Sequence, residues 1–420
     1  MNIGDEVSAF IAEAWDPDLT MEQWWSRLAD SGWGAPTWPV EWFGRGLVGP
    51  DAAAARAAFT DAGVPGPPSG LSVGLAGPTI IAHGTDEQKR RYLRPIISGE
   101  VAWCQLFSEP GAGSDLASVQ CRAVRDGDEW VINGQKVWTS GGQIADLGML
   151  LARTNVDAPK HRGITYFAID MDQPGVEVRP LREMTGRALF NEVFFTDARV
   201  PADAVIGGVD DGWAVALTTL ANERVSLGGG GGVSGGGVPG RKGAMLSRRA
   251  GEVADAMRSG LGQGRAGVAA MGSRYDFLAR VARDAGRLHE PVIRQQLARL
   301  FTLERINGYT QLRARSATER GGRPGPEAST GKLMISRITR LSRDLGLAIA
   351  GAGGMLRGDD APAKGMLSEL AVFSPAVSIY GGSDEIQHNI IGERVLGLPK
   401  EPASDRDTAF RDLKVGTQRA

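Results

Sequence analysis

The stretch that most constrains this chain is residues 101–142, V-A-W-C-Q-L-F-S-E-P-G-A-G-S-D-L-A-S-V-Q-C-R-A-V-R-D-G-D-E-W-V-I-N-G-Q-K-V-W-T-S-G-G. Its first part holds a loop, residues 108–115, crowded with hydroxyls, carboxylates and glycines. Gly111 and Gly113 let backbone approach a ligand closely, and Pro110 fixes one bend. The rest reads as three short strands joined at Asp126-Gly127 and Asn133-Gly134, the dipeptides that most favour two-residue hairpin turns. The third strand brings Trp138, Thr139 and Ser140 beside the loop. A flat aromatic next to paired hydroxyls suits a planar, hydrogen-bonding cofactor. Taken singly, each of these residues also fits a plain surface meander; the whole string shifts the balance.

Composition narrows the class. A chain of 420 residues implies about three domains, and a hydrophobic fraction of 42% is enough for sizeable cores. The net charge of −2 gives no reason to expect a nucleic-acid partner. No apolar run reaches the roughly 18 residues of a membrane span. The acidic residues 1–16 lack the basic start of a signal peptide. Two cysteines, Cys104 and Cys121, are too few for a disulfide scaffold and fit a reducing, cytoplasmic setting. His83, His161, His289 and His388 lack metal-ligand spacing, so no metal site is expected.

Along the chain, residues 1–100 read as a helical domain. Trp24, Trp25, Leu28 and Ala29 recur at helical spacing, residues 51–62 are Ala-rich, and Thr85 followed by early acids starts another helix. Residues 101–206 read as β, with strand candidates at 147–153, 164–169, 176–178 and 192–195 and turn signals close together, as in a small barrel or sandwich. Residues 207–400 return to helices at 212–227, 275–287, 291–315, 331–349, 364–373 and 385–396. Residues 401–420 contain a polar tail expected to fray.

Residues 228–265 interrupt the last helical region with G-G-G-G-G-V-S-G-G-G-V-P-G-R-K-G and a basic run that includes Arg248, Arg249, Arg258 and Arg265. Consecutive glycines cost a helix about 1 kcal/mol each, so a surface loop, dispensable for folding, is the expectation; a lid or a phosphate-binding loop is the alternative. Lys242 is followed by Gly243 rather than Ser or Thr, which excludes a P-loop.

The strings F-S-E-P-G-A-G-S-D and D-G-D-x-W-V-I-N-G-x-K-x-W-T-S closely resemble the flavin-binding core of the acyl-CoA dehydrogenases. So do G-T-D-E-Q-K-x-x-Y-L upstream and S-I-Y-G-G-S-D-E-I-Q-H-N-I-I-G-E-R-V-L-G-L-P near the C-terminus. The resemblance covers about residues 20–400. It implies an α+β multidomain fold: an N-terminal helical domain, a central small β-barrel or sandwich, and a C-terminal four-helix bundle. It also implies FAD, an acyl-CoA substrate oxidised to the trans-2-enoyl-CoA, and electron-transfer flavoprotein as acceptor. Homo- or hetero-oligomers built as a dimer of dimers go with it. Gln105, Phe107, Ser108, Trp138 and Ser140 match positions around the flavin ring, and Ser114 matches one on the CoA side. Arg287, Gln296 (with Gln295 as rival), Gly351, Ser383 and Glu385 match positions that meet the rest of FAD. The match is imperfect there: Leu288 and His289 stand where the family has R-x-F-G, and Ala348 where a second Gln is common.

A thioester α-proton needs a base, and the developing enolate oxygen needs donors. Many relatives carry the catalytic Glu where this chain has Gly381. A second subgroup, with isovaleryl- and long-chain-type enzymes, carries it where this chain has Glu223. The resemblance therefore implies Glu223 as base, with the Gly381 N–H retained for the thioester oxygen. Asp384 and Glu385 are weaker rivals; Glu223 also reads as a plain helix acid. Two other functions stay open: a non-catalytic, FAD-binding subunit of a mixed oligomer, and a flavin monooxygenase or oxidase of the same fold.

Overall fold

The computed structural model describes residues 2–228, 240–258, 273–319, 325, 328–400, 402 and 406–414. The chain opens with five helices, α1 (Ile3–Ala14), α2 (Met21–Ser31), α3 (Gly49–Asp61), α4 (Gly77–His83) and α5 (Asp86–Ile97). Their starts are written in the sequence. Thr20 and Thr85 each accept from the backbone N–H three residues on, while Gln23 and Gln88 reach back to the cap N–H, a reciprocal pairing that satisfies two otherwise orphaned donors. α2 stops at Gly32, whose φ of 80° suits a residue without Cβ. The face of α2 bearing Met21, Trp24 and Leu28 is buried with Val7, Trp33 and Phe59. The Trp24 indole N–H donates to the Pro65 carbonyl at 2.7 Å, which anchors the connector after α3.

Seven strands follow: β1 (Trp103–Leu106), β2 (Arg122–Asp126), β3 (Glu129–Ser140), β4 (Leu147–Arg153), β5 (Ile164–Asp170), β6 (Val176–Leu181) and β7 (Phe190–Pro201). They form one curled seven-stranded sheet, in the order β1-β4-β2-β3-β7-β6 with β5 paired to β4. β1 and the first residue of β2 share one edge of β4, both parallel to it, and β5 takes the other edge antiparallel. Asp126-Gly127 makes the expected hairpin, since Asp126 pairs with Glu129. Asn133-Gly134 does not. It lies inside the long strand β3, at a register shift against β7. A Cβ on Gly134 would stand 2.7 Å from the Cys121 Cα, so the glycine serves a close backbone approach rather than a turn. Asn133 meanwhile exchanges two hydrogen bonds with Asp197 on β7.

The remaining helices are α6 (Gly212–Gly228), α7 (Ala250–Arg258), α8 (Arg274–Asp284), α9 (Pro291–Glu319), α10 (Ala328–Ala350), α11 (Met366–Val377) and α12 (Asp384–Ile390). α10 runs through the centre of the last group, packed against α6, α8, α9, α11 and α12. Leu278, Ile293, Leu297, Leu300, Leu345 and Leu367 form that core. α6 belongs to two layers at once. Val215 and Ala216 are buried with the sheet, while its other side meets α10. It is the element that joins the sheet to the bundle.

The interrupting segment behaves differently from a loose surface loop where it is described. Its residues 229–239 and 259–272, with most of the glycine run and Arg265, lie outside the described residues. Residues 240–258 are tied to the N-terminal helices. Met21 N–H donates to Arg248 O at 2.8 Å, Glu22 N–H to Leu246 O at 3.0 Å, and Ala250 N–H to Leu19 O at 2.8 Å. Ala250 and Val253 of α7 enter the same core as Trp24 and Phe59. Dispensability for folding is therefore not the expectation that the geometry supports. Val253→Asp is expected to destabilise the N-terminal core by about 2–4 kcal/mol, the range for an unpaired charge placed in apolar surroundings. An unchanged melting temperature would show that the segment rests on the helices without supporting them.

Residues 406–414 of the polar tail also depart from expectation, while 401, 403–405 and 415–420 lie outside the described residues. Phe410 is buried beneath the Arg153 guanidinium, 3.7 Å from its ring centroid, and the backbone N–H groups of Phe410 and Arg411 donate to Ala158 O and Val156 O. Burial pushes the Arg153 guanidinium down to about 10, yet it stays charged at neutral pH and binds the carbonyls of Ala117, Val119 and Lys160.

Candidate active site

The loop and strand singled out by the sequence are brought together by a pair of charges that carried no weight there. Lys136 is fully buried on β3, and its Nζ donates to Glu109 Oε1 at 2.7 Å and to the Phe107 carbonyl at 3.0 Å. Glu109 accepts in addition from the N–H groups of Gln120 and Cys121, at 2.7 and 2.9 Å. The Val137 N–H donates to Ser108 O at 2.9 Å. The backbone from Phe107 to Glu109 is thus locked under β3. The Glu in S-E-P and the Lys in N-G-x-K, far apart in sequence, are one structural unit.

Just past Lys136 the register of β3 against β7 slips again, between Lys136 and Thr139. Trp138 occupies the slip at φ 63°, a conformation that costs a bulky residue of order 1–3 kcal/mol. Its side chain is 57% exposed, touched edge-on by the Phe190 ring at 5.9 Å. A large aromatic held in a strained conformation and turned outward is the opposite of a core residue. Asn191 fixes the strand end below it, donating to Thr139 O at 3.0 Å. Ser140 follows Trp138 two residues on, Ser108 is tied to the strand through the Val137 N–H, and both are half-buried. Ser114 lies exposed on the loop.

Glu223 joins this group. Gln105 Nε2 donates to Glu223 Oε2 at 3.3 Å, so the half-buried carboxylate on α6 faces the strand that runs into Phe107 and Ser108. A turn earlier on α6, buried Thr219 meets the Tyr166 hydroxyl at 3.3 Å and Thr79 at 2.9 Å. The Tyr166 ring in turn packs edge-on against Phe107.

The C-terminal candidates fall into two other places. Gly381 lies between α11 and α12 at φ 64°, its carbonyl accepting from Gln387 Nε2 at 2.8 Å. Ser383 caps α12. Asp384 is buried and committed: Ser336 Oγ donates to it at 2.7 Å, with Lys332 at 3.4 Å and Arg340 at 3.1 Å. Burial pushes its carboxyl up, but that hydrogen bond and those two cations outweigh it and hold the group below the usual range. It clamps α12 to α10 and is not a base in waiting. Glu385 is exposed, held below the ordinary value by its own backbone N–H and Ser383.

Arg287, Gln296 and Gly351 sit at the far end of α10. Arg287 pairs through Nε and Nη2 with both oxygens of Glu290, at 2.6 and 2.8 Å, and through Nη1 caps α10 at Ala348 O and Ile349 O. Gly351 lies beside that guanidinium, and Gln296 is half-buried on α9. A ligand phosphate at Arg287 would meet the Glu290 carboxylate, and the planar fork that binds anions is already used. The residues around Trp138 therefore fit a flavin ring, whereas Arg287 as it stands does not fit a pyrophosphate. Among the described residues no cluster could hold a metal and no helix is long and apolar enough to cross a membrane.

Known proteins give the context for this arrangement. Residues 3–100, 104–198 and 254–396 match the acyl-CoA dehydrogenase N-terminal, middle and C-terminal domain families. Acyl-CoA dehydrogenase IpdE1 of Mycobacterium tuberculosis is 39% identical over 90% of this chain and 88% of its own length. Acyl-CoA dehydrogenase FadE34 of the same organism is 37% identical over 94% of this chain, which spans 48% of that longer protein. Among solved structures, the Tcur3481-Tcur3483 steroid ACAD superposes with a TM-score of 0.70 at 27% identity, covering 95% of this chain and 97% of that one. The ChsE4-ChsE5 complex of Mycobacterium tuberculosis gives 0.69 at 27%, again over 95% and 97%. With three domain families in order and a 39%-identical relative matched over 88% of its length, this chain belongs to the acyl-CoA dehydrogenases, a family of FAD flavoprotein oxidoreductases of lipid metabolism.

Proposed function

We propose that the chain catalyses the α,β-dehydrogenation of an acyl-CoA thioester with Glu223 as the base. The 3.3 Å contact between Gln105 and Glu223 carries this reading, because it sets a carboxylate against the strand leading to Phe107 and Ser108. In this scheme Glu223 accepts the α-proton of the thioester. The Gly381 N–H, which has no acceptor among the described residues, stabilises negative charge developing on the thioester oxygen. Ser108 and Ser140 would hold the ring of FAD by hydrogen bonds with Trp138 as its wall, and Ser114 would meet the CoA end. Bound FAD supplies the acceptor for the two electrons that leave with the β-hydrogen. Electron-transfer flavoprotein is the proposed acceptor after that.

Two observations support a reading of the substrate class. A glycine at 381 leaves room where many relatives carry a glutamate side chain, and a structural neighbour at TM-score 0.70 is titled a steroid ACAD. We propose a bulky, ring-bearing acyl group. The engagement of Arg287 by Glu290 favours a mixed oligomer, in which a homologous partner chain supplies contacts for the remote end of FAD. Exposed Phe301, Tyr309 and Leu312 share one side of α9 and offer an apolar face for such a chain.

Anaerobic mixing with a panel of straight-chain, branched and steroid acyl-CoAs, while following bleaching of the flavin visible band, tests the reading. Reduction by ring-bearing acyl-CoAs is expected; no reduction by any member would leave this chain a non-catalytic subunit, and peroxide formed in air would favour an oxidase. Trp138→Ala is expected to lower FAD affinity by about 1–3 kcal/mol, the worth of one stacked aromatic. Equal flavin content in the purified variant would place the ring elsewhere.

A further inference from the structure

We infer that Gln105 is a positioning residue for Glu223: its side-chain amide orients the carboxylate and favours its ionised form. The inference rests on Glu223 being the base. Gln105 is the one half-buried residue of β1, while Trp103, Cys104 and Leu106 beside it and Phe107 just after the strand are buried in the apolar core. An unpaired amide there would cost about 1–3 kcal/mol, so packing alone favours an apolar residue at this position. The amide instead donates to Glu223.

The helix on the other side is built to receive it. Thr219 and Glu223 are four residues apart on α6 and so share one face. Two rungs then join the strand to the helix. Phe107, Tyr166 and Thr219 form the first, with Thr79 bonded to Thr219 from α4. It is buried and fixes the rotation of α6. Gln105 and Glu223 form the second, and only here does the side chain carry a charge. A neutral donor suits a base. A hydrogen bond donated to the carboxylate favours it over the carboxylic acid.

The test uses the purified holoprotein, with any partner subunit that copurifies, carrying Gln105→Leu or Gln105→Glu. Losing a hydrogen bond to a charged group lowers the flavin reduction rate about 10–100-fold on the acid limb of the pH–rate profile, by conversion of 1.5–3 kcal/mol. FAD content and the concentration of acyl-CoA at half-maximal rate should stay within about twofold, because neither variant removes main-chain contacts. The acid limb of the pH–rate profile should move up, and the rate should recover as pH rises. A readout without substrate is available: the infrared carboxyl band that disappears in Glu223→Gln should titrate at higher pH in Gln105→Leu. A wild-type profile and titration in Gln105→Leu, beside an inactive Glu223→Gln, would overturn the inference alone. Full activity in Glu223→Gln would overturn the base assignment and this role with it.

Discussion

Glu223→Gln should retain FAD and bind acyl-CoA, yet lose flavin reduction by about 10²–10⁴, the usual worth of a positioned base. The substitution is nearly isosteric. Its amide oxygen can still accept from Gln105 Nε2, so the strand–helix contact survives while the proton acceptor is gone. Stopped-flow reduction under anaerobic conditions reads the effect directly, and a wild-type rate would reduce Glu223 to a helix acid. Many relatives carry the catalytic Glu where this chain has Gly381, which suggests Gly381→Glu as a partial rescue of such a variant. The geometry lowers that expectation. Gly381 sits at φ 64°, where an L residue costs about 1–2 kcal/mol, and its carbonyl is held by Gln387. Rescue should be weak, and the double variant should melt earlier than Glu223→Gln.

What could be read in advance depended on whether a signal was local. Thr20 and Thr85 announce helix starts because a cap is satisfied within three residues. Trp138 stands out in sequence through its neighbours, but its outward turn and strained φ depend on the slipped pairing of β3 with β7. Asn133-Gly134 misled because the dipeptide marks only a special backbone, which a hairpin and a bulge both use. Packing of Cys121 onto Gly134 decides between them, and that contact comes from outside the strand. The segment at 240–258 was hidden for a similar reason. Ala250, Val253 and Ala254 are a thin apolar stripe, and the backbone N–H groups of Met21 and Glu22 that await it leave no mark in the sequence. Glutamine at 105 was visible only as a letter in a strand; its partner lies on a helix that the strand meets after folding.

Lys136→Met tests whether the buried charge pair is what holds the loop in place. Methionine fills much of the lysine's volume, so packing changes little. Two hydrogen bonds vanish, however, and Glu109 keeps its backbone donors from Gln120 and Cys121 without a counter-charge. Removing one member of a buried pair costs about 3–5 kcal/mol, because the surviving charge stays desolvated. The Phe107 carbonyl also loses its donor, on the stretch that leads to Ser108. A lower melting temperature and reduced FAD content are therefore expected together. Glu109→Gln added to Lys136→Met should recover part of the stability, since it removes the stranded charge while its one amide oxygen still accepts from one of the two N–H groups. If the double variant melts with the single one, the loss comes from the Phe107 carbonyl rather than the charge. If Lys136→Met melts like the wild type, the pair is solvated in solution and something else sets the course of residues 107–109.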